Sequence, residues 1–267
     1  LPFIFINKFL KRFVYFYFIR TFTKVNQIDI FYIISALNSF YLKSSNEKKN
    51  ILELQGSDVI ITTKKFPFIK IFYRYYWKYA NAITQDSIIA KTSAAPLFPT
   101  QVLNETINIG VDFDIFNDKI QKGKVRNKYK LKEAPIILHT RSLKKIYNIE
   151  ILIKSLVYAR NEIPDICYMI TGEKGMLSTK LQNFINFNNL DNNLIFTGRL
   201  DHNKEIKYYY ADADVCVSIP SSDSSPFSVY EAQATKTPVI VSDLPWVAEN
   251  FDKNKHLYVL PQKLTFR

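Results

Sequence analysis

The chain is 267 residues long, enough for one large domain or two modest ones, and with 47% apolar and 22% charged residues it is expected to fold into a globular protein. The net charge of +12 favours an anionic partner, whether phosphate groups, an acidic membrane surface or nucleic acid, and charge alone does not choose among them. Cys167 and Cys216 both lie inside apolar runs without metal-ligand spacing, so they read as buried reduced thiols in a cytoplasmic setting.

Residues 2–24 read as an aromatic, basic helix with Lys8, Lys11 and Arg12 on one face and Phe3, Phe9, Phe13 and Phe16 elsewhere. Two readings stand side by side: a helix lying on an anionic membrane, or a core helix whose basic stripe faces water. No secretory signal is recognisable, and the uncharged stretch Phe13–Ile19 is far too short to span a bilayer. Strands are expected at Ile28–Ile34, Asn50–Leu54, Asn81–Thr84 and Glu105–Ile109, with a helix over Pro67–Tyr79. Strands alternating with helices imply a parallel sheet with crossover connections, and four are few for a complete domain of that type. The charged stretch Asp118–Glu133 has little apolar pattern and reads as a linker, dividing the chain into domains at 1–117 and 118–267.

Beyond Pro135 the alternation becomes clearer. Strands are expected at Ile136–His139, Ile166–Thr171, Asn193–Thr197, Val215–Ile219, Pro238–Val241 and His256–Val259. Helices fit Asn148–Arg160, Met176–Phe187, Asn203–Ala211 and Pro226–Thr235. This is the pattern of a doubly wound α/β unit, whose ligands bind beyond the carboxyl ends of the strands. Two strand ends carry suitable groups: His139-Thr140-Arg141 with Lys144 and Lys145 behind it, and Pro220–Pro226 leading into a helix. Pro226 suits the first helical position, with Ser224 or Ser225 capping ahead of it, and the free N–H groups there favour a phosphate. Glu231, in the second turn, can accept both hydroxyls of a ribose. Asp223 precedes the helix, and Arg141 can pair with a diphosphate through two parallel hydrogen bonds. Singly, each of these residues is as readily a helix cap or a solvated surface charge; together they point to a nucleotide site.

The spacing from Asp223 to Glu231-Ala232 is an acidic residue, seven residues, then Glu-Ala. Around it stand Thr237-Pro-Val-Ile-Val-Ser242, then Glu249, and upstream Phe196-Thr-Gly198 and Tyr208–Asp214. Nearer the start are Asn108-Ile-Gly110-Val-Asp112 with Phe116, and Leu54-Gln55-Gly56-Ser57-Asp58. In this order, over roughly residues 28–260, the motifs resemble the retaining glycosyltransferases of family 4, also called group 1, which have the two-domain GT-B fold. The resemblance implies an α/β protein of two Rossmann-like domains, with the N-terminal, acceptor-side domain incomplete, its Gly-rich loop absent and the final C-terminal helices missing, as in a fragment.

The same resemblance implies that Glu231 holds the nucleotide ribose and Asp223 contacts the donor sugar. Backbone N–H groups around Phe227, Ser228 and Val229 approach the distal phosphate, and Arg141 neutralises the diphosphate as the glycosidic bond breaks. Lys144 or Lys145 stands in for the family's phosphate-binding Lys, with Tyr147 near that place, and Gln55 and Asp58 lie on the acceptor side, Gln55 where the family often has a donor-facing His. The implied reaction moves a hexose, with retention, from a nucleotide diphosphate sugar to a lipid-linked or cell-surface glycan, as in cell-envelope polysaccharide biosynthesis. It needs no metal cofactor, and Asp212-Ala-Asp214 is rejected as a metal triplet because it ends a helix. Nucleic acid is not an expected partner; peripheral contact with an anionic membrane is compatible with this reading. A non-catalytic remnant that at most binds nucleotide is the alternative, and a sugar-nucleotide epimerase is a smaller rival.

Overall fold

A computed structural model describes residues 15–22, 28–44, 48–108, 110–252 and 257–261. Residues 15–22 are helical, while the remainder of the expected 2–24 helix lies outside the described residues. The chain divides into two compact units, Leu1–Ile109 and Gly110–Arg267. Residues 110–117, grouped with the N-terminal domain on sequence grounds, fall in the second unit because Phe116 is buried in its core.

In the first unit four parallel strands, β1 Ile30–Ile34, β2 Lys49–Leu54, β3 Ala82–Gln85 and β4 Leu103–Thr106, lie in the order 1-2-3-4. Each connection advances by one strand in the same direction, so right-handed crossovers place the helices on one face of the sheet. Ile33, Leu52 and Ile83 are aligned across three strands and enter the core together. There they meet Tyr73 and Trp77 of the helix Ile69–Trp77, both fully buried. The opposite face carries Ile30, Tyr32, Ile34 and Leu103, all exposed. β4 starts two residues earlier than its apolar pattern suggested, because it pairs with β3 through Ala82–Gln85.

The second unit is doubly wound. Its strands are β5 Ile136–His139, β6 Cys167–Ile170, β7 Leu194–Phe196, β8 Val215–Ser218, β9 Val239–Ser242 and β10 Tyr258–Leu260, all parallel, in the order 10-9-8-5-6-7. Successive side chains alternate between two cores, one on each face: Leu138, Cys216 and Val241 enter the first, Ile170 and Val217 the second. The chain winds outward from β5 to β7 and then returns to β8, so the switch point lies between β5 and β8, where a ligand crevice is expected.

The expected linker holds a helix, Lys124–Tyr129, built by a distant partner. The Asp212 carboxylate is 4% exposed and accepts hydrogen bonds from the backbone N–H groups of Gly123, Val125 (2.6 Å) and Arg126 (3.1 Å). Asp214 accepts from Arg126 Nη2 and from the Ile136 N–H, both at 2.7 Å. These two aspartates anchor the entry into β5.

Candidate functional site

The two strand ends at the switch point are stitched together by short polar contacts. After β5 the chain turns through Thr140–Tyr147 into the helix Ile149–Glu162; after β8 it runs through Pro220–Pro226 into the helix Phe227–Ala234. Asn148 sits in the left-handed region (φ 53°) and donates from Nδ2 to the Ile219 carbonyl at 2.9 Å. The Ser221 N–H in turn donates to the Ile146 carbonyl at 2.8 Å. Gly172, at φ +122°, ends the neighbouring loop after β6 and exchanges two backbone hydrogen bonds with Gly198 after β7. A Cβ at Gly172 would stand 3.1 Å from Leu143, so a glycine there serves both the backbone angle and the seating of the loop that carries Arg141.

Across this seam Arg141 and Asp223 meet. Arg141 Nη2 donates to Asp223 Oδ2 at 2.6 Å, Nη1 reaches Ser228 Oγ at 3.4 Å, and the guanidinium lies 4.5 Å from the centroid of the Tyr147 ring. The two side chains are only 15% and 12% exposed. Burial raises the Asp223 pKa, against the opposing pull of the Arg141 charge and the Ser224 and Ser225 N–H groups. Asp223 Oδ1 accepts from the Ser224 N–H at 2.9 Å, so this carboxylate also orders the turn into the helix.

Pro226, expected at the first helical position, is the residue before it, with φ −80° and ψ 101°. The Val229 N–H bonds to the Pro226 carbonyl at 3.0 Å, so it is spoken for. Those of Phe227 and Ser228 have no protein acceptor among the described residues. Two N–H donors at a helix start beside a guanidinium form a place for an anion.

Glu231 is 4% exposed, and both of its oxygens are engaged. His202 Nε2 lies 2.6 Å from Oε1, and the Tyr210 hydroxyl donates to Oε2 at 2.9 Å. Tyr210 is backed by Thr140 Oγ1 at 3.0 Å, which ties Glu231 to the β5 end. Burial holds the Tyr210 phenol well above its usual pKa, so it stays a donor. The His202 ring packs near Phe116, 5.4 Å between centroids. His202 and Tyr210 escape a reading of sequence alone: a single His in a polar turn carries no local signature, and Tyr210 falls in an aromatic run that suits a core helix equally well. Next to the seam, His139 is fully buried, its Nδ1–H donating to the Val217 carbonyl (3.2 Å), while Nε2 has no partner among the described residues. Burial, aided by the Arg141 charge, pushes its pKa down to about 4 although the Val217 hydrogen bond opposes this, so it is neutral at pH 7.

The other expected residues are placed elsewhere. Lys145 lines a cavity of about 430 Å³ with Leu143, Asn148, Ser178 and Leu181, and neither Arg141 nor Asp223 borders it. In the first unit Gln55 is exposed just before the helix Gly56–Ile60. Asp58 is buried at 6%, and its Oδ2 accepts the Ala36 N–H at 2.8 Å, the work of a cap for the 3-10 helix Ala36–Lys43. Among the described residues no group of three or more His, Cys, Asp or Glu is placed to hold a metal ion, and the Asp212 and Asp214 carboxylates are bonded to backbone N–H groups. Cys167 and Cys216 are free and buried, and burial pushes both thiols up, to about 11 and about 12.

Known proteins resemble this chain in sequence and in fold. A curated relative, the GtfA subunit of the UDP-N-acetylglucosamine–peptide N-acetylglucosaminyltransferase of Streptococcus agalactiae, is 26% identical over 191 residues, covering 71% of this chain and 37% of its own length. Among solved structures, Anabaena HepE in complex with UDP and glucose superposes with a TM-score of 0.75 at 15% identity, covering 87% of this chain and 64% of its own. Sucrose-phosphate synthase from Thermosynechococcus elongatus gives 0.69 at 16% identity, covering 88% and 61%. The chain thus spans less than two thirds of the length of these proteins. The structural likeness carries the GT-B fold, two Rossmann-like α/β units each built on a parallel sheet. The family model for glycosyl transferases group 1 matches residues 121–265, more than half of the chain, and the protein belongs to that family.

Proposed function

We propose that the switch-point crevice of the second unit binds a nucleotide diphosphate sugar and that the protein transfers its hexose, with retention, to a lipid-linked or cell-surface glycan. The observation that carries this reading is the convergence of Arg141, Asp223, Glu231 and the free Phe227 and Ser228 N–H groups on one strand seam. Arg141 and those N–H groups take the diphosphate, Glu231 the ribose and Asp223 the sugar. As the anomeric C–O bond breaks, negative charge develops on the departing phosphate oxygen, and Arg141 compensates it without a metal cofactor. A uridine base is supported by the relatives: the Streptococcus protein is named for a UDP-sugar and HepE holds UDP and glucose. A cytoplasmic setting, in contact with the inner membrane face, fits the reduced buried thiols and the net charge of +12.

Titration calorimetry with UDP and UDP-glucose tests the assignment. Glu231→Gln is expected to weaken both ligands by about tenfold or more, as loss of a charged hydrogen-bond partner does. Asp223→Ala is expected to weaken the UDP-sugar more than UDP. Unchanged affinity in Glu231→Gln would remove the ribose assignment. A second reading, nucleotide binding without turnover, draws support from Gln55, which stands where the family often has a donor-facing His. Full binding with no transfer to any lipid-linked or glycan acceptor would favour it.

A further inference from the structure

We infer that the outer face of the helix Ile69–Trp77, with the turn before it, is a docking surface for an anionic lipid bilayer. The inner face is fixed. Tyr73 and Trp77 are fully buried and stacked at 5.1 Å, Trp77 Nε1 donates to Ser39 Oγ at 2.8 Å, and the Tyr73 hydroxyl reaches the Asp58 carbonyl at 3.3 Å. The outer face is apolar where solvent-facing surfaces usually are not. Phe68 is 82% exposed, Ile71 71%, Phe66 53% and Tyr75 42%. Phe68, Ile71 and Tyr75 are spaced three and four residues apart, so they form one stripe.

Beside the stripe stand Lys64, Lys65, Lys70, Arg74 and Lys78, all exposed, and no acidic residue occurs between Asp58 and Asp86. Lys78 Nζ lies 4.5 Å from the centre of the Tyr75 ring, and Lys43 Nζ donates to the Tyr75 hydroxyl at 3.0 Å, which brings a further cation to the rim. Aromatic and aliphatic tips ringed by cations match the interfacial zone of a bilayer. The tips enter the acyl boundary while the ammonium and guanidinium groups meet anionic headgroups. All three residues of the Phe66-Pro67-Phe68 turn are exposed, and such tips suit a soft lipid surface better than a preformed protein partner. A single-stranded nucleic acid would use stacking, which the prominent Ile71 cannot supply. The inference rests on the proposed function only in that a membrane-bound acceptor gives the surface a purpose; the geometry stands without it.

The test is flotation of the whole chain with phosphatidylcholine vesicles, with and without phosphatidylglycerol, over a series of salt concentrations. The chain is expected to float with the anionic vesicles and to lose binding as salt rises. Two sets of substitutions probe the surface, all at exposed side chains. Phe68→Ser with Ile71→Ser is expected to reduce vesicle affinity at least about tenfold, and Lys64→Gln with Lys65→Gln and Lys70→Gln by about a hundredfold. Phe68→Trp with Ile71→Leu is expected to keep it. Circular dichroism and UDP affinity, read on the same samples, are expected to match the unsubstituted chain, so failure of the nucleotide assignment leaves vesicle binding as a separate result. The inference is overturned if the chain ignores anionic vesicles, or if both sets of variants float as well as the unsubstituted chain. It is also overturned if the Phe68 and Ile71 substitutions instead abolish concentration-dependent self-association or binding to single-stranded nucleic acid.

Discussion

At Glu231 the His202 ring stands over Oε1 at 2.6 Å, itself 59% exposed, while the carboxylate beneath is 6% exposed. Partial burial lowers the His202 pKa, but the hydrogen bond and charge of Glu231, helped by Asn203 and Asp201, outweigh it and raise the value above that of a free histidine. The sign follows from linkage. The pair stabilises the fold fully at pH below about 6.5, and that contribution fades as pH rises through the raised His202 pKa. A ribose that takes Glu231 must displace the imidazole, which then loses its carboxylate and its reason to hold a proton. Nucleotide binding is therefore expected to release a proton and to strengthen as pH rises from about 6.5 through the raised His202 pKa, then level off. Calorimetry across that window, with His202→Ala as reference for the titration of the nucleotide phosphate, checks this. Parallel pH profiles in the two proteins would sink the idea. The candidate site was legible in the sequence where its residues follow strand ends in a spaced pattern, as Arg141, Asp223 and Glu231 do. The His202 and Tyr210 contacts were not, because they come from positions 29 and 21 residues away from Glu231 without a shared motif.

Elements with a strong local period were legible almost to the residue. β5 begins and ends where its apolar run does, and Ile149–Glu162 carries Ile149, Leu152, Ile153 and Leu156 on its buried side at helical spacing. Short elements made by tertiary partners were not. In Lys124–Tyr129 only Val125 is buried, and the helix starts where it does because the Asp212 carboxylate gathers N–H groups 86 to 89 residues away. The helix Pro245–Asn250, likewise unforeseen, is six residues long and is held by the buried Trp246 and Val247. Asp212→Ala leaves the Gly123, Val125 and Arg126 N–H groups without their charged acceptor, and the expected loss is about 2–3 kcal/mol of unfolding free energy. Urea denaturation measures it. A loss below about 0.5 kcal/mol, the range of an ordinary surface substitution, would mean that water satisfies these groups and that the helix does not depend on the aspartate.

The two units differ in how completely each sheet is covered. Alternation of strand and helix was enough to read both as parallel α/β, since most strand runs are short and are followed by a helical segment. What the sequence did not reveal is the strand order, which decides where crossovers fall. Among the described residues, monotonic order leaves Ile30, Tyr32, Ile34 and Leu103 exposed on one face of the first sheet. The reversal between β5 and β8 covers both faces of the second sheet and sets the switch point at which a crevice is expected. Buried parallel sheets are the stable kind. Residues 110–267 contain two cores, one on each sheet face, together with Arg141, Asp223, Glu231, Phe227 and Ser228, the residues of the proposed nucleotide site. Expressed alone, this segment is expected to fold, to unfold cooperatively in urea, and to bind UDP within about threefold of the affinity of the whole chain. Calorimetry on a sample shown to be folded by circular dichroism reads the outcome. A folded segment that loses UDP binding by tenfold or more would locate essential nucleotide contacts in the first unit, and Gln55 at the exposed start of Gly56–Ile60 would be the first residue to substitute.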